Sequence, residues 1–347
     1  MELGLNIGYW GMPGGPDDVV ALVREAEVLG YSVVWAAEAY GSDAVSVLSA
    51  LACATTTIDV GSAVMQIPAR TPTMTAMTAA TLDALSEGRF RLGLGVSGPQ
   101  VSEGWHGVRF ARPLARTREY VDVVQRALSR EEVTFSGEFF ELPLPDGPGK
   151  PLHLMLHPVR EHIPLYLGAI GPRNLELAGE IADGWLPVFF APQFADDSLH
   201  HLEIGRKRSA SDRFDIAPTV PLVVGRDVGA CADPVRPYAA LYVGGMGSRD
   251  QNFYHSLAVR MGFATAADEV QRRYLAGDCE GAAVAVPTEF VDATSLLGDT
   301  HRLADRIADF ARAGVTTLNV MPYGADTRER IGALTQAAHA LELSGLG

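Results

Sequence analysis

Apolar positions in the first hundred residues alternate between two spacings. Leu3 to Tyr9 is a short apolar run, and Pro16-Asp17-Asp18 then opens a segment in which Val19, Leu22, Val23, Ala26 and Leu29 share one helical face. Gly30 closes that helix, Val33 to Ala37 reads as the next strand, and a second helix is expected from about Asp43 to Thr56. Ile58 to Met65 gives a third strand, Thr71-Pro72 starts a helix with Met74, Met77, Leu82 and Leu85 on a common face, and Phe90 to Val96 is a fourth strand. Strand starts near Leu3, Val33, Asp59 and Phe90 recur at about 30 residues, the length of a βα unit. A parallel sheet follows from that rhythm.

After a helix near Ala115 to Arg130, Val133 to Leu142 resembles a β-hairpin turning at Ser136-Gly137, followed by the Pro/Gly-rich stretch Pro143 to Pro151. Strands resume at Pro164 to Leu167, Gly184 to Val188 and Ala217 to Val224, with helices near Asn174 to Ala182 and Phe194 to Ser209 between them. A second long insertion carries helical pieces at Phe253 to Met261 and Ala267 to Ala276. Leu303, Ile307, Phe310 and Ala311 mark a helix, Thr317 to Met321 a strand, and Arg328 to Leu343 a last helix. Eight strands in a right-handed βα series predict a (β/α)₈ TIM barrel, one domain over residues 1–347 with insertions at approximately 131–162 and 225–300. A doubly wound open sheet is the structural alternative, since a strand count does not prove closure.

Charge narrows the partners. Acidic residues outnumber basic ones by 42 to 28, a net charge of -14, which repels a phosphate backbone in the absence of a dense Lys/Arg cluster. No nucleic-acid partner is expected, and a small-molecule substrate suits the chain better. Cys53, Cys231 and Cys279 include no CxxC pair, and His153, His157 and His162 lack metal-ligand spacing, so no disulfide framework or metal site is read. The first residues lack the basic start and apolar core of a signal peptide, and no run is long enough to span a membrane. A cytoplasmic, soluble protein is expected, for which a homodimer is one permitted assembly.

Candidate chemistry lies where predicted strands end. Gly93-Leu94-Gly95-Val96-Ser97-Gly98 matches G-x-G-x-x-G after a strand, but Pro99 to Pro113 shows no helical period, which argues against a dinucleotide fold. Small residues there still let backbone N–H groups approach an anion, the plain alternative being a tight βα turn. Gly168-Ala169-Ile170-Gly171-Pro172-Arg173-Asn174 leads straight into a helix, a phosphate-friendly start to which Arg173 adds charge, although such a loop needs no ligand. Glu38 ends the second strand on the face where barrel enzymes keep their chemistry, while Ser42 or Asp43 is the better helix cap. His106, in the long loop after strand four, is the histidine nominated for acid/base work.

Taken in order, Leu5 to Trp10, Ala37-Glu38-Ala39-Tyr40-Gly41-Ser42-Asp43, Gly61-Ser62-Ala63-Val64, Leu92 to Pro99, Gly168 to Arg173 and Ala182-Asp183-Gly184-Trp185 resemble the landmarks of the luciferase-like flavin oxidoreductases. Within that family the chain looks most like the branch using the deazaflavin coenzyme F420, with FMN the alternative cofactor. The resemblance implies a non-prolyl cis peptide at Ala63-Val64 behind the cofactor's central ring. It assigns Glu38 and Ala39 to the ring, Ser97 and Gly98 to the cofactor's side chain, and Ala169, Ile170, Gly171, Pro172 and Arg173 to its ribityl and phosphate portion. Deazaflavin dehydrogenases often carry a catalytic histidine where this chain has Ala39, so alcohol oxidation is disfavoured and reduction of a C=C or C=N bond is expected. Glu38 or Tyr40 would supply a proton, and Trp10, Trp105 and Trp185 apolar walls, unless they are core packing. An FMN-dependent monooxygenase and a catalytically idle flavin-binding protein are the alternative functions.

Overall fold

The computed structural model describes residues 1–9, 15–209 and 211–347, and its strands form where short apolar runs are bounded by turn residues. In chain order they are β1 (Glu2–Asn6), β2 (Val33–Ala36), β3 (Asp59–Ser62), β4 (Met65–Gln66) and β5 (Phe90–Gly95). The short β6 (Phe135–Ser136) and β7 (Glu141–Leu142) follow, then β8 (Leu165–Leu167), β9 (Gly184–Trp185), β10 (Asp215–Ile216), β11 (Thr219–Val224), β12 (Leu296–Gly298) and β13 (Thr317–Pro322). β6 and β7 pair antiparallel, which is the hairpin expected near Ser136. The others build one parallel sheet in the order β10-β9-β8-β5-β3-β2-β1-β13-β11-β12, with β4 beside β5. Register puts Leu5 opposite Val34 and Val320, Val60 opposite Phe90, and Leu94 opposite Leu167. β10 and β11 are almost continuous, so this one run pairs with β9 through Ile216 and Trp185, and with β13 through Thr219 and Asn319.

Helices α1 (Pro16–Val28), α2 (Ala44–Ala54), α3 (Pro72–Leu85), α4 (Pro99–Ser102), α5 (Pro113–Leu128), α6 (Pro172–Ile181) and α7 (Asp196–Arg206) connect the strands, with two more at Thr300–Arg312 and Thr327–Leu343. Their starts are specified locally. Asp43, Thr71, Asp299 and Asp326 accept from backbone N–H groups of the first turn, and α1, α3, α5 and α6 each begin with proline. The face expected for α3 is corrected: Ala76, Ala79, Ala80 and Leu82 are buried, while Met74, Met77 and Leu85 stand exposed. Small side chains let α3 lie close to its neighbours, and the buried Asp83 is held by the guanidinium of Arg160, with Nη2 to Oδ1 at 2.6 Å. The stretch after Gly98 also departs from expectation, since Pro99–Ser102 makes a helical turn; at four residues it is too brief to carry a helical period.

Both faces of the parallel sheet are covered, as its continuous apolar runs require. Leu5, Val34, Leu48, Leu51, Leu92 and Phe310 belong to the layer between strands and helices, whereas Val33, Trp35, Tyr166, Leu186 and Ala217 form a separate inner cluster. Two interior pairs join distant strands: Trp35 Nε1 donates to Asn319 Oδ1 at 2.8 Å, and Asn6 Nδ2 to Thr219 Oγ1 at 3.0 Å. The N-terminal ends of the strands are tied by Arg91 Nε to Asp59 at 2.7 Å and Tyr166 Oη to Asp215 at 2.9 Å. The 225–300 insertion is largely helical and has its own core, including Val235, Val243, Phe290 and Leu297. It ends in β12, a strand too short to register as a period.

Candidate active site

At the C-terminal end of β3 the Ala63-Val64 peptide is cis, the conformation that the resemblance put there. Ala63 N–H donates to Ala36 O at 2.8 Å, and Val64 crosses toward β5. A Cβ added at Gly95 would stand 2.4 Å from a Val64 methyl, and one at Gly93 would stand 1.8 Å from the Ser62 carbonyl oxygen. Ser62 Oγ closes this contact by donating to Gly93 O at 2.8 Å and accepting from Gly93 N–H at 2.9 Å. Gly93 and Gly95 are therefore required by the packing of β5 against this bulge, and only Ser97 (φ 59°) and Gly98 remain at the open edge to meet a ligand.

Glu38 is the centre of a hydrogen-bonded cluster. Its Oε2 accepts from Arg70 Nη1 at 2.6 Å and from Gln66 N–H at 3.1 Å, and its Oε1 from Arg70 Nη2 at 2.8 Å and Ala44 N–H at 3.2 Å. The side chains of Glu38 and Arg70 are only 8% and 17% exposed, so the bidentate pair sits largely out of water. Hydrogen bonding to Glu38 raises the Arg70 pKa, against burial, and Arg70 also bonds Asp43 at 2.7 Å. Burial alone would push the Asp43 carboxyl up, but Ser46 and the Arg70 charge hold it below its usual value. Asp43 caps α2 by accepting from Ser46 N–H at 2.8 Å, while Glu38 takes the first N–H of the same helix, that of Ala44. Gln66 extends the cluster: its Oε1 lies 2.8 Å from His106 Nε2, linking two of the expected catalytic residues. Tyr40, the third, is 56% exposed.

The anion end is sparser than the sequence suggested. Gly171 precedes α6, Pro172 has no N–H, and the Asn174 N–H already donates to Gly171 O at 2.9 Å, leaving Arg173 as the main donor. Its side chain is exposed and has no partner among the described residues. Ala169 O accepts from the buried Trp185 Nε1 at 2.9 Å, which places Trp185 behind the loop. Trp105 is 67% exposed and walls nothing; Trp10 lies outside the described residues.

Two groups escaped sequence reasoning. Arg70 precedes the cap of α3 with no periodic signal, and a set of tyrosines gathers from distant segments. Tyr9 follows β1, Tyr323 follows β13, and Tyr238, Tyr242 and Tyr254 come from the insertion. Tyr242 has ring centroids 4.7 Å from Tyr238 and 4.8 Å from Tyr254, and Phe189 touches all three. No His, Cys, Asp and Glu group among the described residues is arranged to hold a metal ion, and no helix among them is long and apolar enough to cross a membrane.

A parallel α/β sheet with polar and small residues gathered at the strands' C-terminal ends has the form of an enzyme scaffold. The luciferase-like monooxygenase family model matches residues 5–317, and the chain belongs to that family. A Mycobacterium tuberculosis protein with the provisional name coenzyme F420-dependent oxidoreductase is 43% identical over 96% of this chain and 99% of its own. The 5,10-methylenetetrahydromethanopterin reductase of Archaeoglobus fulgidus is 28% identical over 89% of this chain and 91% of its own. The solved coenzyme F420-dependent tetrahydromethanopterin reductase of Methanopyrus kandleri superposes with a TM-score of 0.82, at 25% identity and 97% coverage of both chains.

Proposed function

We propose that this protein is a coenzyme F420-dependent oxidoreductase that reduces a C=C or C=N bond of a small molecule. The observation that carries the reading is the near full-length likeness to F420-dependent relatives, with residues at the C-terminal edge that fit the cofactor. Ala63 and Val64, partly exposed and buttressed by Gly95 and Gly168, offer an apolar face for the ring beside Ala39. Ser97 and Gly98 border the cofactor's side chain. At Gly171 an added Cβ would meet nothing within 4 Å, so the backbone before α6 is open to a phosphate, beside Ala169, Ile170, Pro172 and the free Arg173.

Bound reduced F420 supplies a hydride; the protein supplies orientation, water exclusion and a proton. Both oxygens of Glu38 are engaged with Arg70 and backbone N–H groups, which suits a positioning residue. Through Gln66, Glu38 fixes the segment just after the bulge, and His106 braces it from the other side. Ala39 offers no base for an alcohol proton, which favours reduction. The chain is best taken as one (β/α)₈ unit: the 215–224 run bonds to strands on both sides, and Trp35 of β2 reaches Asn319 of β13 and Tyr166 of β8 across the interior. Fluorescence titration with F420 and with FMN separately tests the cofactor. Micromolar FMN binding without F420 binding overturns it, as does a product that carries oxygen from O₂.

A further inference from the structure

The insertion presents its tyrosines from an unusual backbone. Leu241–Gly245 forms a π-helical turn, a feature common at functional sites. Buried Asn252 locks it, donating to Tyr242 O at 3.0 Å and Val243 O at 2.9 Å while its Oδ1 accepts from the N–H groups of Tyr254 and His255. The turn lies over the C-terminal edge: a Cβ added at Gly98 would stand 3.9 Å from Met246 O, and one at Gly41 2.9 Å from the Tyr9 ring. Tyr9 and Tyr238 each share a hydroxyl hydrogen bond with Tyr242. Tyr9, Tyr238, Tyr242, Tyr254 and Tyr323 each keep a partly exposed surface, as residues lining a cleft do. Burial raises the pKa of all five, so they are protonated donors at neutral pH. The ring contacts of Tyr238, Tyr242 and Tyr254 with one another and with Phe189 make the walls of this chamber aromatic.

We propose that Tyr242 is the substrate-facing hydrogen-bond and proton donor, aligned by Tyr9 and Tyr238, and that the chamber takes a flat, uncharged, conjugated carbonyl or imine. This rests on the reading that the edge beneath the chamber holds F420. For an enone, hydride from the reduced cofactor adds at the carbon β to the carbonyl as the Tyr242 O–H proton passes to the carbonyl oxygen. The enol formed rearranges to the saturated ketone. For an imine, the hydride adds to carbon and the proton to nitrogen. The co-product is oxidised F420, and the phenolate regains a proton from water by way of Tyr9 or Tyr238. Tyr rings suit such a substrate because stacking and one hydrogen bond recognise it without a charge.

The test uses the full chain with oxidised F420 bound and trans-4-phenyl-3-buten-2-one as probe, following the probe's absorbance band, which moves to the red when its carbonyl accepts a hydrogen bond. The intact protein is expected to bind it saturably with a red shift. Tyr242→Phe should abolish the shift and weaken binding roughly three- to tenfold, the loss of one neutral hydrogen bond, with F420 affinity unchanged. Tyr9→Phe keeps the donor, so the shift should persist with a smaller loss of affinity. The same shift and affinity in Tyr242→Phe overturn the proposal, as does an intact protein that binds F420 but not the enone. Failure to bind F420 at all overturns the cofactor reading on which it stands.

Discussion

Replacing Glu38 by Gln separates anchoring from acid catalysis. The substitution keeps the shape and removes the charge that accepts both Nη groups of Arg70. Losing one partner of a buried ion pair costs about 3–5 kcal/mol, and an exposed pair is worth less than about 1 kcal/mol. With side chains 8% and 17% exposed, this pair lies near the buried limit. The amide still accepts one hydrogen bond and Arg70 keeps Asp43, so a loss of about 2–3 kcal/mol is expected. Urea unfolding reads that loss directly. Because Gln66 N–H rests on Glu38, the edge of the bulge should loosen and F420 affinity fall by about tenfold, while single-turnover hydride transfer at saturating cofactor stays within about threefold. Arg70→Met should behave alike, and the double variant should be no worse than either alone, a coupling of about 2–3 kcal/mol. If Glu38→Gln melts like the parent yet slows hydride transfer by about 10² or more, Glu38 is the general acid and the anchoring argument fails.

Arg173→Ala should weaken F420 binding by about 1–3 kcal/mol, the range for a charged hydrogen bond, with a smaller effect at high salt; an unchanged affinity in dilute buffer moves the phosphate elsewhere. Gly93→Ala drives a methyl into the Ser62 carbonyl and should cost at least about 1–3 kcal/mol by thermal melting; Gly95→Ala meets only a Val64 methyl and should cost less. The Glu27 carboxyl is pushed up by partial burial but pulled below it, to about 2, by the N–H groups of Thr57, Ile58 and Thr56. Its contribution is therefore complete above the ordinary carboxyl value of 4.5 and disappears as pH falls toward 2, so Glu27→Gln should flatten the acid side of the stability curve across that window; an unchanged slope refutes this assignment.

Local signals read well where chemistry acts over a few residues. The Thr71-Pro72 and Pro172 helix starts, the apolar strands and the βα spacing all depend on neighbours in sequence, and each appears where expected. The landmarks at Glu38, Ala63-Val64, Ser97-Gly98 and Gly168 to Arg173 fell at successive strand ends because a parallel series brings all those ends to one edge. The role of Glu38 was not readable, since nothing near it in sequence announces that Arg70 occupies both oxygens. Met74 and Met77 show the limit of a shared apolar face: it stands exposed, because close helix packing buries Ala76, Ala79 and Ala80 instead.

What the chain determined by itself, then, is the succession of strands and helices, the acidic balance and the positions of the small residues, all fixed by propensities and periods acting over one or two turns. Tertiary structure alone decided which of those residues meet. It paired Glu38 with Arg70 across 32 residues, pressed Gly93 against Ser62, and brought Tyr9 to Tyr242 and Tyr323, each more than two hundred residues further along the chain. Such contacts depend on register and on the path of the insertion, which arise from burial summed over the whole sheet and have no local period to reveal them.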